Sequence, residues 1–132
     1  MTTQGKSMRT PLGKVRGHGA AHGGTGHFIA QRVTALALLI LIPWIIVSIA
    51  LSMPDTGYVS AIDFLSRPFE AVCVLLLLGI GLYHMRIGMQ VVIEDYIQKP
   101  ATKTALLVVN TLVPLALGAG AVFALLRVNF GG

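Results

Sequence analysis

Three long stretches of the chain are almost free of charge. Residues 33–54, VTALALLILIPWIIVSIALSMP, carry none, and neither do residues 104–126, TALLVVNTLVPLALGAGAVFALL. Residues 71–93 carry one full charge, Arg86. The hydrocarbon core of a bilayer is about 30 Å thick and takes about 20 residues of helix. Each stretch is therefore long enough to cross once. The pattern predicts an all-α integral membrane protein with three transmembrane helices, at about 28–53, 68–98 and 102–127.

The breaks between the stretches support these boundaries. Residues 1–27 are rich in glycine, with little helix propensity, and read as a flexible basic tail. Residues 28–132 form the membrane anchor domain. Pro43 should kink the first span or free a carbonyl there. Trp44 follows it near mid-span, where packing against a partner is expected. SMPDTGY reads as a turn and IDFLSRPFE as a short surface segment. Pro68 suits the first turn of span two, with Ser66 as a cap and Glu70 near the positive end of the helix. Pro100 ends that span. Thirty residues of helix reach about 45 Å, so its last turns should enter the headgroup zone. Span three holds Asn110, Pro114 and the small-residue run GAGA, which permits close helix approach.

Composition sharpens this picture. Hydrophobic residues make up 55% of the chain and charged residues 11%, against about a quarter charged in an ordinary soluble domain. Three helices bury little of one another, so a partner subunit is expected beside membrane lipid. The chain is too small for a typical transporter built of inverted repeats. Cys73 is the single cysteine and lies in a span, so no disulfide forms within the chain. The basic residues are scattered along a membrane chain, which leaves no nucleic-acid reading.

The formal net charge is +5, and its distribution sets an orientation. Lys6, Arg9, Lys14 and Arg16 lie in the tail, Arg32 at the mouth of span one, and Lys99 and Lys103 between spans two and three. The 53–68 loop holds Asp55, Asp63 and Arg67. Basic residues favour the cytoplasmic side. The N-terminus and the 94–104 loop are thus expected to face the cytoplasm, or the matrix of an organelle, with the C-terminus opposite. The acid-free tail could be taken for a mitochondrial presequence, but it lacks the amphipathic pattern. His18, His22 and His27 have no cysteine or acid beside them to complete a metal site, and a solvated tail is the better reading.

Span two carries the candidate chemistry. Gly81 and Gly88 flank His84 at i−3 and i+4, on its own face of the helix. They predict a flat open patch against which a planar macrocycle could lie, with the imidazole as axial ligand. The competing reading is a histidine hydrogen-bonded to a neighbouring helix, although an ionisable residue inside a membrane is a functional candidate by default. No other histidine lies in a predicted span, so a bis-histidine haem needs a ligand from another chain. Asp95 lies about 20° from the face of His84 and about 16 Å along the axis. Tyr96 can donate to a carbonyl oxygen, and a carboxylate beside it can relay protons; quinone reduction consumes two. An aromatic belt residue at a helix end accounts for Tyr96 equally well. Arg86 points about 200° away from His84. With Gln90 and Glu94 it forms a polar stripe at i, i+4 and i+8, expected to meet a partner helix or to leave Arg86 reaching a haem propionate or lipid phosphate around the edge; a buried polar contact is the favoured reading.

These residues resemble a known family. The pattern of His84, Gly88, Asp95 and Tyr96, within HMRIGMQVVIEDY, is similar to the second transmembrane helix of the small hydrophobic anchor (cytochrome b556, D-subunit type) of succinate dehydrogenase, respiratory complex II. HFIAQRVTALAL, with Arg32, Val33 and Thr34, resembles the start of that family's first span, and MRTPLGKVRG the opening of alphaproteobacterial members. The resemblance implies a non-catalytic anchor subunit, paired with a second haem-ligating anchor and carrying an iron–sulfur subunit and a flavoprotein subunit. Succinate would be oxidised at the flavin, and electrons would reach ubiquinone near the cytoplasmic or matrix face. It implies His84 as an axial ligand of haem b and hence of its iron, Tyr96 as a hydrogen-bond partner of ubiquinone, and Asp95 beside it. It also places Arg32 near the haem propionates or the quinone entrance. Arg86 stands where some members carry an aromatic residue, so its role does not transfer. The implied location is the bacterial inner membrane as a multi-pass protein, ahead of the mitochondrial inner membrane. The alternatives are the anchor of a fumarate reductase or other haem b complex, and a cofactor-free structural membrane subunit.

Overall fold

The computed structural model describes residues 10–12 and 24–131. The tail residues Lys6, Arg9, Lys14, Arg16, His18 and His22 lie outside them. Three long helices and one short one follow in order: α1 (Gly24–Ser52), α2 (Tyr58–Ser66), α3 (Pro68–Tyr96) and α4 (Pro100–Phe130). No strand occurs among the described residues. The long helices contain 29, 29 and 31 residues. At 1.5 Å per residue each exceeds about 43 Å, enough to cross a bilayer and reach into the headgroups on both sides.

The prolines set most of these limits. Pro68 and Pro100 open α3 and α4 in the first turn, where the missing N–H has no intrahelical partner to lose. The residue before Pro100 is held extended, and α3 stops at Tyr96, two residues short of the expected Gln98. Helix α1 begins at Gly24 rather than Phe28, so His27 is helical and not part of a loose tail. Gly24, Thr25 and Gly26 are exposed in this first turn, and His27 is half-buried. Pro43 and Pro114 sit inside α1 and α4, and both helices run on through them.

Helix α3 is central. It packs against α1 on one side and α4 on the other, while α1 and α4 scarcely meet. Helix α2 closes the 53–67 end by lying on α3 and α4. Asn129 Nδ2 fixes that corner, donating to Leu65 O at 3.0 Å and Leu125 O at 2.9 Å. Asp55 orders the preceding turn: its Oδ1 accepts from Gly57 N–H at 2.7 Å and Ser60 Oγ at 2.8 Å. The Ser60 hydroxyl, and then the Gly57 amide, hold the Asp55 carboxyl below its usual range. Ser66 does not cap α3; its hydroxyl donates to Asp63 O, and Arg67 takes the cap position.

Little of this surface is buried. The buried apolar side chains are Ile45, Phe64, Cys73, Ile87 and Ile93, while Leu39, Ile40, Leu51 and Phe123 are each more than two-thirds exposed. In water such a surface would drive aggregation; in lipid it needs no cover. Trp44 differs from expectation. Its ring meets Phe69 edge-on, with centroids 6.0 Å apart, at the start of α3 rather than at mid-span. The antiparallel register brings the last third of α1 level with the start of α3, and the tryptophan stays half-exposed there.

Candidate functional site

The contact between α1 and α3 is a ladder of three paired positions. Gln31, Thr34 and Leu38 recur at i, i+3 and i+7 on α1. Gly88, His84 and Gly81 lie at steps of four and three on α3, running the other way over the same seven residues. Each set spans about 10.5 Å of axis, so the rungs stay level. A Cβ on Gly88 would stand 3.3 Å from Gln31 Nε2, and one on Gly81 would stand 3.9 Å from Leu38 Cδ2. The middle rung is polar: Thr34 Oγ1 and His84 Nδ1 are 2.8 Å apart.

This corrects the expectation of an open patch. The glycines beside His84 do face its way, but α1 fills the space they leave. The approaches left to His84 are the exposed edge of its ring and the cleft lined by Gly88.

The hydrogen bonds of Thr34 favour one tautomer. Its hydroxyl has one proton, and the Ala30 carbonyl at 2.7 Å can only accept. The hydroxyl therefore donates to Ala30, with the Gln31 carbonyl a longer second acceptor at 3.2 Å. It is left to accept from His84 Nδ1–H. A neutral imidazole protonated at Nδ1 carries its lone pair on Nε2. Nε2 makes no hydrogen bond among the described residues and is not sealed in the interior. His84 thus presents a ring nitrogen at the protein surface, near the middle of α3 and twelve residues from its C-terminal end at Tyr96.

Other candidate residues are distributed around this point. Tyr96 is 78% exposed and sits on the rim of an apolar groove between α3 and α4, formed with Met85, Met89, Val92, Val109 and Val113, of about 410 Å³. Asp95 is exposed beside it and makes no hydrogen bond among the described residues. Arg32 lies about 160° around α1 from Thr34, exposed, with its guanidinium 5.1 Å from the centre of the Phe28 ring. The single chain therefore brings Tyr96 and Asp95 to one helix end but does not bring Arg32 to His84.

A second cleft, of about 720 Å³, opens between the same ends of α1 and α3. His27, Gln31, Gln90 and Glu94 line it. His27 Nε2 and Gln31 Oε1 are buried there without a hydrogen-bond partner. Glu94 accepts from Gln90 Nε2 at 2.8 Å, and its main-chain carbonyl accepts from Lys103 Nζ at 2.8 Å. Sequence reasoning missed this cleft because glycine-rich context assigned His27 to the tail. The recurrence of Gln31, Thr34 and Leu38 on one stripe was the signal available.

Arg86 finds its partner on α4. Its Nε donates to Thr111 Oγ1 at 3.4 Å, and Asn110 Nδ2 donates to the Arg86 carbonyl at 2.9 Å. The polar stripe thus divides, Arg86 turning to α4 while Gln90 and Glu94 pair with each other. Among the described residues no three His, Cys, Asp or Glu side chains cluster to hold a metal ion.

Comparisons with known proteins agree with this arrangement. The family model of the succinate dehydrogenase/fumarate reductase transmembrane subunit matches residues 6–119. The chain is 32% identical over 122 residues to the succinate dehydrogenase hydrophobic membrane anchor subunit of Paracoccus denitrificans, covering 92% of this chain and 93% of that one. It is 31% identical to the subunit of the same name from Rickettsia conorii over 105 residues, 80% of this chain and 83% of the other. No solved structure gives a significant match. Three membrane-length apolar helices, joined to relatives named as membrane anchors, make this a multi-pass membrane protein, and the chain belongs to the succinate dehydrogenase/fumarate reductase transmembrane subunit family.

Proposed function

We propose that the chain is the non-catalytic membrane anchor of a succinate:ubiquinone oxidoreductase, that it supplies one axial ligand to a haem b shared with a second anchor subunit, and that it forms part of the ubiquinone site. One observation carries the haem assignment: Thr34 holds His84 Nδ1, leaving a lone pair on Nε2 at the surface of the central helix at mid-membrane depth. Iron-ligating histidines commonly give their other ring N–H to a protein oxygen in this way. When bound, haem b supplies a one-electron carrier. The residues of this chain hold the imidazole in one tautomer and one orientation. The second ligand comes from the partner anchor, because His84 is the one histidine of this chain outside the N-terminal end of α1 among the described residues.

Tyr96 is the quinone-binding residue of this chain. Its phenol donates to a ubiquinone carbonyl, and the apolar groove below it takes the isoprenoid tail. Asp95, free in the headgroup zone, passes protons from water as the quinone takes up two electrons and two protons. The lysines of the adjoining loop put this end at the cytoplasmic face, where iron–sulfur and flavoprotein subunits can dock and deliver electrons from succinate. The relatives named as succinate dehydrogenase anchors favour this direction over fumarate reductase. The bacterial relatives favour the inner membrane of a bacterium over that of a mitochondrion.

The test is a reduced-minus-oxidised spectrum and a low-spin haem EPR spectrum of the purified complex, for wild type and His84→Ala. A b-type signal in wild type whose EPR signature changes in the variant supports the ligand. A wild-type complex without haem, or an unchanged EPR signature in the variant, defeats it.

A further inference from the structure

We infer that Thr34 is a positioning residue for the haem: through its hydroxyl it sets the donor strength and ring orientation of His84. The inference rests on the ligand role proposed above and deepens it. Three observations carry it. The Thr34 Oγ1 to His84 Nδ1 separation is 2.8 Å, the shortest polar contact between α1 and α3. The hydroxyl is turned by its own helix, since it is committed to the Ala30 carbonyl one turn back at 2.7 Å. On either side of the pair α1 comes close to α3, with Gln31 beside Gly88 and Leu38 beside Gly81.

The chemistry follows from the direction of these bonds. The chain of donors runs from His84 Nδ1–H to Thr34 Oγ1 and from Thr34 O–H to Ala30 C=O. Each bond polarises the next. An imidazole that gives its Nδ1–H to an acceptor is more electron-rich at Nε2, and a more electron-rich axial ligand favours ferric over ferrous iron. The bond also ties the ring to α1, which limits its rotation. An isolated His84 would have neither constraint.

The experiment compares the intact membrane complex of wild type with Thr34→Val and Thr34→Ser. Valine keeps the shape of threonine and lacks the hydroxyl; serine keeps the hydroxyl and lacks the methyl. The readouts are haem content, the haem midpoint potential and the low-spin EPR g-values. In Thr34→Val the ferrous-to-ferric ratio at a fixed potential should rise about tenfold, within the range expected for a lost outer-shell bond, which is a shift of about 59 mV for one electron. The g-values should move with it, and Thr34→Ser should return both towards wild type. Loss of haem in the valine variant with retention in the serine variant supports the inference equally. Unchanged potential and g-values in Thr34→Val overturn it while leaving His84 as a ligand. Equal damage in both variants also overturns it, because the methyl and not the hydroxyl then matters. A wild-type complex with no low-spin haem overturns this inference and the ligand role together.

Discussion

Gln31 stands directly over Gly88, its Nε2 3.3 Å from where a Cβ would be. The space beside the glycine is shared between a side chain of α1 and the cleft that opens there. Gly88→Leu should force α1 and α3 apart and lower the stability of the anchor by about 1–3 kcal/mol, the usual cost of overpacking. Haem loss would follow indirectly, through the Thr34–His84 rung next to it. The steric origin can be isolated by pairing the change with Gln31→Ala, which should recover most of the thermal stability of the purified complex. A double variant no more stable than Gly88→Leu alone would refute the packing account.

Asn110 does for α3 and α4 what Thr34 does for α1 and α3. Its amide donates across the contact to the Arg86 carbonyl at 2.9 Å. Interhelical bonds of this kind in membranes are worth about 0.6 kcal/mol on average and up to about 1.7. Asn110→Leu should therefore weaken the complex modestly in a detergent-melting series and leave haem spectra unchanged, since His84 faces the other way. A shifted haem spectrum would mean that α4 also controls the haem pocket.

The three spans, their direction of packing into helices and the turn positions were legible because length, charge and proline placement act locally. That His84, Asp95 and Tyr96 share one span was legible from the apolar run, and helix periodicity relates His84 to Asp95. What stayed hidden was set by tertiary contact. The Thr34–His84 pair is fifty residues apart in sequence, and no local signal joins them. The glycines at 81 and 88 showed that something approaches closely, but not whether it was a ring or a helix. His27 was placed in the tail because the propensity of its glycine neighbours argues against helix there, whereas the helix runs back to Gly24.

Asp55 gives the exposed turn a pH dependence. The Ser60 hydroxyl and the Gly57 amide lower its pKa, so these bonds contribute fully above the ordinary carboxylate range. They are lost as pH falls through the lowered value. Amide exchange at Gly57 and the start of α2 should accelerate in that acid window, and Asp55→Ala should abolish the pH dependence. Exchange that stays flat with pH in the wild type would exclude this role for the carboxylate.

Tyr96 tests the quinone assignment with least disturbance, because it is exposed at the end of α3 and its ring packs on little of the chain. Tyr96→Phe keeps that ring and removes one hydroxyl. Loss of a hydrogen bond of about 1 kcal/mol corresponds to roughly a fivefold change in rate or affinity, and more if the site excludes water. Succinate-dependent ubiquinone reduction should fall by that factor or more, whereas succinate-dependent reduction of an artificial dye at the soluble subunits should hold. Asp95→Asn should slow the quinone reaction most at high pH, where protons are scarce and a relay matters most. If both variants reduce quinone at the wild-type rate across pH, the groove between α3 and α4 is a lipid-facing surface and the quinone site belongs elsewhere in the complex.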